Sequence, residues 1–165
     1  RPCSIRWRLG WSWATTPRAW RGGRELTQAL GFEGALAGVA AAAALLGTPG
    51  ATGVVGFCWG GTVAFLSATR LGLPAVSYYG GRSVPFLHEQ AKAPVLFHFG
   101  ERDHIIPPEH VAEHRRLQPQ AEHYVYPAGH GFNCDQRADF DAESAALARR
   151  RTLDFFARNL VTGTH

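Results

Sequence analysis

The sequence predicts an α/β fold, a mainly parallel sheet flanked by helices, on three observations. Short apolar runs rich in β-branched and aromatic residues alternate with longer stretches of helical composition along most of the 165 residues. Glycine and proline clusters punctuate them where strands and helices should end. The run Val54-Val55-Gly56-Phe57 passes through Cys58-Trp59-Gly60-Gly61 into Thr62-Val63-Ala64-Phe65-Leu66-Ser67-Ala68, the pattern of a strand, a tight turn and a helix.

Residues 1–24 differ in kind from the rest. Four of the five tryptophans and a cluster of arginines lie there, with no acidic residue and no periodicity. GC-rich codons yield Trp, Arg, Gly, Ala and Pro in any frame, so an irregular or out-of-frame segment is expected ahead of a single domain over 25–165. An aromatic-basic binding arm is the weaker alternative, because no recognisable module accompanies it. From Glu25 to Leu46 the composition is that of a helix, ended by Gly47-Thr48-Pro49-Gly50. After the first strand a helix is expected over 61–70, closed by Gly72 and Pro74. Ala75-Val76-Ser77-Tyr78-Tyr79 reads as a strand stopped by Gly80-Gly81. Pro94-Val95-Leu96-Phe97-His98-Phe99 is nearly all apolar, as a parallel strand covered on both faces should be. Pro107-Pro108 opens a helix to about Leu117, Glu122-His123-Tyr124-Val125-Tyr126 is a last strand, and 138–160 is an amphipathic helix.

Composition bounds the function. The net charge of +4 and pI of about 9.3 come largely from the arginines of 1–24, so a nucleic-acid partner gains little support. Cys3, Cys58 and Cys134 are odd in number and lack C-x-x-C spacing, which suits a reducing cytoplasm. The apolar run Leu36–Leu46 falls short of the ~20 residues of a membrane span and is expected to be a buried helix. It begins too far along the chain for a signal peptide, and no membrane partner is expected. A cytoplasmic monomer is the expectation.

The spacing Gly56-x-Cys58-x-Gly60 is that of a nucleophile elbow with cysteine at its apex. Such a turn strains its central residue and asks for small residues two before and two after it, where Cβ atoms would collide. The sulfur then stands near the start of the next helix, and the Trp59 main-chain N–H can point at a developing oxyanion. The glycines alone leave a second reading open, a packed free thiol.

Loops at the carboxyl ends of parallel strands carry the working residues of open α/β sheets. Three such loops carry one reactive group each: Cys58, Asp103 45 residues on, and His130 a further 27 on. In that order His130 can take the Cys58 proton and return it to a leaving group, while Asp103 fixes the imidazole tautomer and stabilises the imidazolium. Singly, Asp103 reads as a cap for the helix at Pro107 and His130 as a surface histidine. Their shared placement at strand ends favours function.

Gly56-Phe57-Cys58-Trp59-Gly60-Gly61, Tyr78-Tyr79-Gly80, Pro94 to Gly100 with Asp103, Tyr126 to Phe132, and Arg151 to Phe156 together carry a resemblance. From about Leu26 to Leu160 the chain resembles the dienelactone hydrolase family of α/β-hydrolases. The resemblance implies an α/β-hydrolase-like sheet lacking the first strands. It implies hydrolysis of an enol-lactone or related small-molecule ester through a thioester acyl-enzyme, with a Cys58, Asp103, His130 triad and no metal or organic cofactor. Family members have strands before the elbow that supply a second oxyanion N–H, a glutamate acting on the cysteine and an arginine for the substrate carboxylate. Residues 1–24 match none of these, and Asn133-Cys134 stands where a second such arginine follows the histidine. The chain is therefore expected to be N-terminally incomplete, with an open front edge to its sheet, and to be a weak or inactive hydrolase. The alternative is a non-catalytic remnant or interaction module that keeps the fold.

Other residues have plainer readings. His110 and His114 are spaced to hold Zn²⁺, but without a third ligand an exposed charged face with Glu109 and Glu113 is expected. Cys134 could resolve an oxidised Cys58, although a small packed residue is expected. Arg82 and Arg102 could reach an anionic substrate or be solvated. The Trp59 ring is expected to wall a pocket beside the nucleophile.

Overall fold

The computed structural model describes residues 17–47 and 50–161; Cys3 and the rest of 1–16, with 48–49 and 162–165, lie outside them. The chain divides into a small unit, Arg1–Gly31, and a large one, Phe32–His165. Helix α1 (Pro17–Leu46) is interrupted at Gly31, whose φ of 64° and ψ of 174° are not helical. Residues 17–24, expected to be irregular, are thus helical. Pro17 fits a first helical turn, where its missing N–H costs nothing, and alanine and arginine favour helix.

Among its described residues the large unit carries four strands: β1 (Val54–Phe57), β2 (Ala75–Tyr78), β3 (Val95–Gly100) and β4 (Glu122–Tyr126). They form one sheet in the order β1-β2-β3-β4, every pair parallel. Helix α2 (Trp59–Leu66), prolonged by a π-helical turn over Ser67–Leu71, follows β1; α3 (Pro108–Leu117) follows β3; α4 (Ala142–Asn159) comes last. Each expected element is present. Helix α4 starts later than 138 because the Asp141 carboxylate caps it, accepting the Ser144 N–H at 2.8 Å.

Alternation along β3 serves two layers. Phe97 meets Phe65 of α2 at 5.6 Å and His114 of α3 at 5.0 Å between ring centroids. His98, one residue on, turns to α4: its Nε2 lies 3.0 Å from Thr152 Oγ1 and its Nδ1 2.8 Å from the Tyr126 hydroxyl. Thr152 Oγ1 lies 2.7 Å from the Tyr78 hydroxyl. This buried line ties α4 to β2, β3 and β4 and leaves neither His98 nitrogen unpaired, as a polar group in a core requires. Burial drops the His98 pKa to about 3, so the ring is neutral.

The β1 side is built differently. Among the described residues no strand pairs with the outer side of β1, the expected open edge, and Val55 and Phe57 are 46% and 44% exposed. The expectation that Leu36–Leu46 is a buried helix is overturned: Leu36 is buried, but Leu45 is 88% and Leu46 67% exposed. One stripe, Phe32, Ala35, Leu36 and Val39, packs on Val63, Leu66, Trp59 and Phe86. By length and composition alone, Arg21–Leu46 is long and apolar enough to cross a membrane.

Candidate active site

The turn after β1 has the elbow geometry. Cys58 has a φ of 54°, in the region that side chains avoid, and precedes the first turn of α2. A Cβ on Gly56 would overlap the Gly60 carbonyl, so the first glycine is required by close approach. The second required glycine is Gly61 rather than Gly60. A Cβ on Gly61 would lie 2.7 Å from the Tyr78 carbonyl oxygen, whereas one on Gly60 would meet nothing within 4 Å. Cys58 itself is exposed and its N–H donates to the Tyr78 carbonyl at 2.9 Å.

The loops after β3 and β4 are laced together. Glu101 N–H donates to Tyr126 O at 2.7 Å and Arg102 N–H to Ala128 O at 3.0 Å. Gly100 permits this approach, since its Cβ would fall 2.5 Å from the Ala128 oxygen. The lacing brings Asp103 to His130: Asp103 Oδ2 lies 2.8 Å from His130 Nδ1, and His130 Nε2 lies 3.3 Å from Cys58 Sγ. Asp103 Oδ1 accepts the N–H groups of Ile105 and Ile106 at 2.8 and 3.1 Å. The carboxylate thus fixes its own loop with one oxygen and the imidazole with the other. Cys58, Asp103 and His130, far apart in sequence, form one hydrogen-bonded line.

The electrostatics follow from that line. Burial lowers the His130 pKa, but the bonds to Asp103 and Cys58 outweigh it and raise the ring to about 9. The His130 contact lowers the Cys58 thiol against the effect of burial, helped by the Trp59 N–H and by Arg137. Both shifts run in the direction of a thiolate–imidazolium pair.

Three neighbours of the line were given no place in the site by the sequence reading. Tyr79 sets its ring 5.2 Å from that of His130, and His104 lies 6.3 Å from it on the other loop. Arg137 packs its guanidinium where a side chain at Gly131 would be, the Cζ 3.2 Å from that Cβ position, so a cation reaches the site from outside the motif. The signal for it was Gly131 itself, whose φ of 82° and lack of Cβ leave the space.

Comparison with known proteins gives the family. The model of the dienelactone hydrolase family matches residues 14–160. The chain belongs to the dienelactone hydrolase family. That match reaches into the segment 1–24 expected to be foreign. Carboxymethylenebutenolidases of Pseudomonas putida and of Pseudomonas knackmussii are each 37% identical over 119 residues, 66% of this chain and 49% of theirs. A crystal structure described as a "putative dienelactone hydrolase" from Klebsiella pneumoniae superposes with a TM-score of 0.59 at 35% identity, covering 63% of this chain and 50% of that one. The chain spans about half the length of the curated relatives it matches.

Beyond the elbow, this member of the family departs from several expectations. His114 is not on an exposed charged face: it is fully buried between Phe97 and Phe99, its Nδ1 2.7 Å from His110 O, and burial drops its pKa to about 4. The helix spacing that suggested a surface instead turns that residue onto the sheet. Among the described residues no His, Cys, Asp or Glu group is arranged to hold a metal ion. The Trp59 ring stacks on Phe32 at 5.2 Å and 10°, so it packs there while its main-chain N–H bonds the Cys58 thiol. Cys134 is half-buried, as a small packed residue would be, and Arg82 and Arg102 are exposed.

Proposed function

We propose that this chain is a hydrolase of dienelactone hydrolase type that cleaves a small-molecule lactone or carboxylic ester through a Cys58, His130, Asp103 triad, with neither metal nor organic cofactor. The observation that carries the reading is the unbroken line from Cys58 Sγ through His130 to Asp103, at 3.3 and 2.8 Å. The Cys58 thiolate attacks the acyl carbon, and the Trp59 N–H donates to the oxygen that becomes negative. The tetrahedral adduct collapses, the acyl C–O bond breaks, and His130 gives its proton to the departing oxygen. His130 then takes a proton from water, whose oxygen attacks the thioester and expels the thiolate. Esters suit this site better than amides, because a thiolate adduct on an amide expels sulfur before the poorer amine.

Exposure of the thiol and of β1 favours a second reading, a fold-keeping module without turnover. The Trp59 N–H is the one oxyanion donor assigned among the described residues, and since each such donor is worth about 10²–10³ in rate, weak turnover is expected. Steady-state hydrolysis of p-nitrophenyl acetate separates the two. The hydrolase reading expects slow turnover that disappears in Cys58→Ala; equal rates in both proteins would sink it.

A further inference from the structure

Tyr79 shares with Cys58 a positive φ, 40°, found at no other non-glycine residue among those described. It follows the last residue of β2 and keeps the ladder, its N–H donating to His98 O at 2.8 Å, while its own carbonyl accepts the Gly81 N–H at 3.0 Å. The turn beyond it is crowded: a Cβ on Gly80 would lie 2.5 Å from Ser77 Oγ. An extended residue at 79 would continue the strand's alternation and carry its side chain to one face of the sheet. The left-handed residue instead brings the ring to the end of the sheet. There it lies 5.2 Å from His130, inclined at 59°, and meets Phe132 edge-on at 5.4 Å. The side chain is almost fully buried. Strained backbone that sets a side chain against an aligned reactive group is the pattern expected where conformation is held for function.

We propose that Tyr79 is a positioning residue for His130, its ring forming the wall that keeps the imidazole in the line between Asp103 and Cys58. The proposal rests on the reading of Cys58 as nucleophile. His130 faces Asp103 and His104 from the loop after β3, Cys58 from the turn after β1, and Tyr79 from the end of β2. Of these, Tyr79 is the neutral packing partner: burial and the neighbouring Cys134 and Cys58 thiols raise its phenol, with Arg137 opposing, so it carries no charge near neutrality. The ring, rather than the hydroxyl, is assigned the role.

The test is the pH profile of iodoacetamide alkylation, mapped to the Cys58 peptide of the full chain, for wild type, Tyr79→Phe, Tyr79→Leu and Tyr79→Ala. Near-ultraviolet circular dichroism reports the fold of each. Wild type and Tyr79→Phe should share an apparent pKa well below ~8.5. Tyr79→Leu and Tyr79→Ala should move it upward, slowing alkylation at neutral pH about tenfold for each unit by which it then exceeds the pH. Tyr79→Leu, which keeps apolar volume, carries the test if Tyr79→Ala does not fold. Unchanged profiles in the folded Leu or Ala variant overturn the proposal, as does a Tyr79→Phe shift as large as that of Tyr79→Ala. An ordinary thiol profile in wild type overturns the nucleophile reading itself, and is seen before any Tyr79 substitution is compared.

Discussion

The two sides of the sheet support the candidate site unequally. On one side, β2 and β3 are buried along their whole length, α4 is pinned by the Tyr78, Thr152, His98 and Tyr126 line, and the lacing of two loops fixes Asp103 and His130. On the other, no described strand pairs with the outer side of β1, the segment from Phe32 onward packs by one stripe, and Cys58 stands exposed. Asp103 and His130 are therefore set by a core, whereas Cys58 is set by a strained turn on an edge strand. Preorganisation of the proton-handling half should outlast damage to the half that carries the sulfur.

Breaking the ordered half should have the largest effect. Asp103→Asn leaves the shape of the loop but favours the wrong imidazole tautomer, so whatever ester turnover the wild type shows should fall by about 10⁴. A fall of less than tenfold, measured with the same ester, would mean that the fixed half is not what activates Cys58.

Stability should divide the same way. Phe97→Ala opens a cavity in a fully buried site between α2 and α3 and should cost about 3–5 kcal/mol in urea unfolding. Phe57→Ala, on the open strand, should cost about 1 kcal/mol or less. Similar losses at both positions would erase the contrast.

Acid sharpens it further. His98 and His114, at about 3 and about 4, sit below the ordinary histidine value of 6.5 because both are buried. The unfolded chain therefore binds their protons first. Their contribution to stability is intact above pH ~6.5 and is lost as pH falls towards those values, each histidine weighing up to about 1.4 kcal/mol per pH unit. Denaturation curves collected between pH 7 and 4 should show that slope, and His98→Gln should flatten it; a flat wild-type curve would count against neutral buried rings.

The smallest effect is expected at the elbow. Gly60→Ala has open space and a helical position, so it should be neutral or stabilising by up to ~1 kcal/mol. A large loss there would restore the symmetric glycine requirement that the sequence pattern suggests.

Strand and helix order was legible because each strand is a compact apolar run closed by glycine or proline, and Asp103 and His130 were legible because each follows such a run. Less could be read where tertiary packing overrules local pattern. His114 looks like one of several charged residues on α3, yet its helical position faces Phe97 and Phe99. The alanine-rich run of α1 looks like core, but hydrophobicity alone does not bury it, and Leu45 and Leu46 are exposed. The places of Arg137 and Tyr79 beside the line were not legible for another reason: one reaches the site through the space left by Gly131, the other through a left-handed backbone that no residue type announces. Thr152 gains its meaning only when His98 and Tyr78 are seen to share its hydroxyl.

The central claim is that the ordered acid–histidine half activates a sulfur on the open half. Acid-quenched mixing of the full chain with p-nitrophenyl acetate, followed by peptide mapping, tests it directly. The expected result is an acetyl thioester on Cys58 that forms at neutral pH and is absent from His130→Ala. Acetylation of Cys58 to the same extent in both proteins, or none on Cys58 in the wild type, would contradict the account.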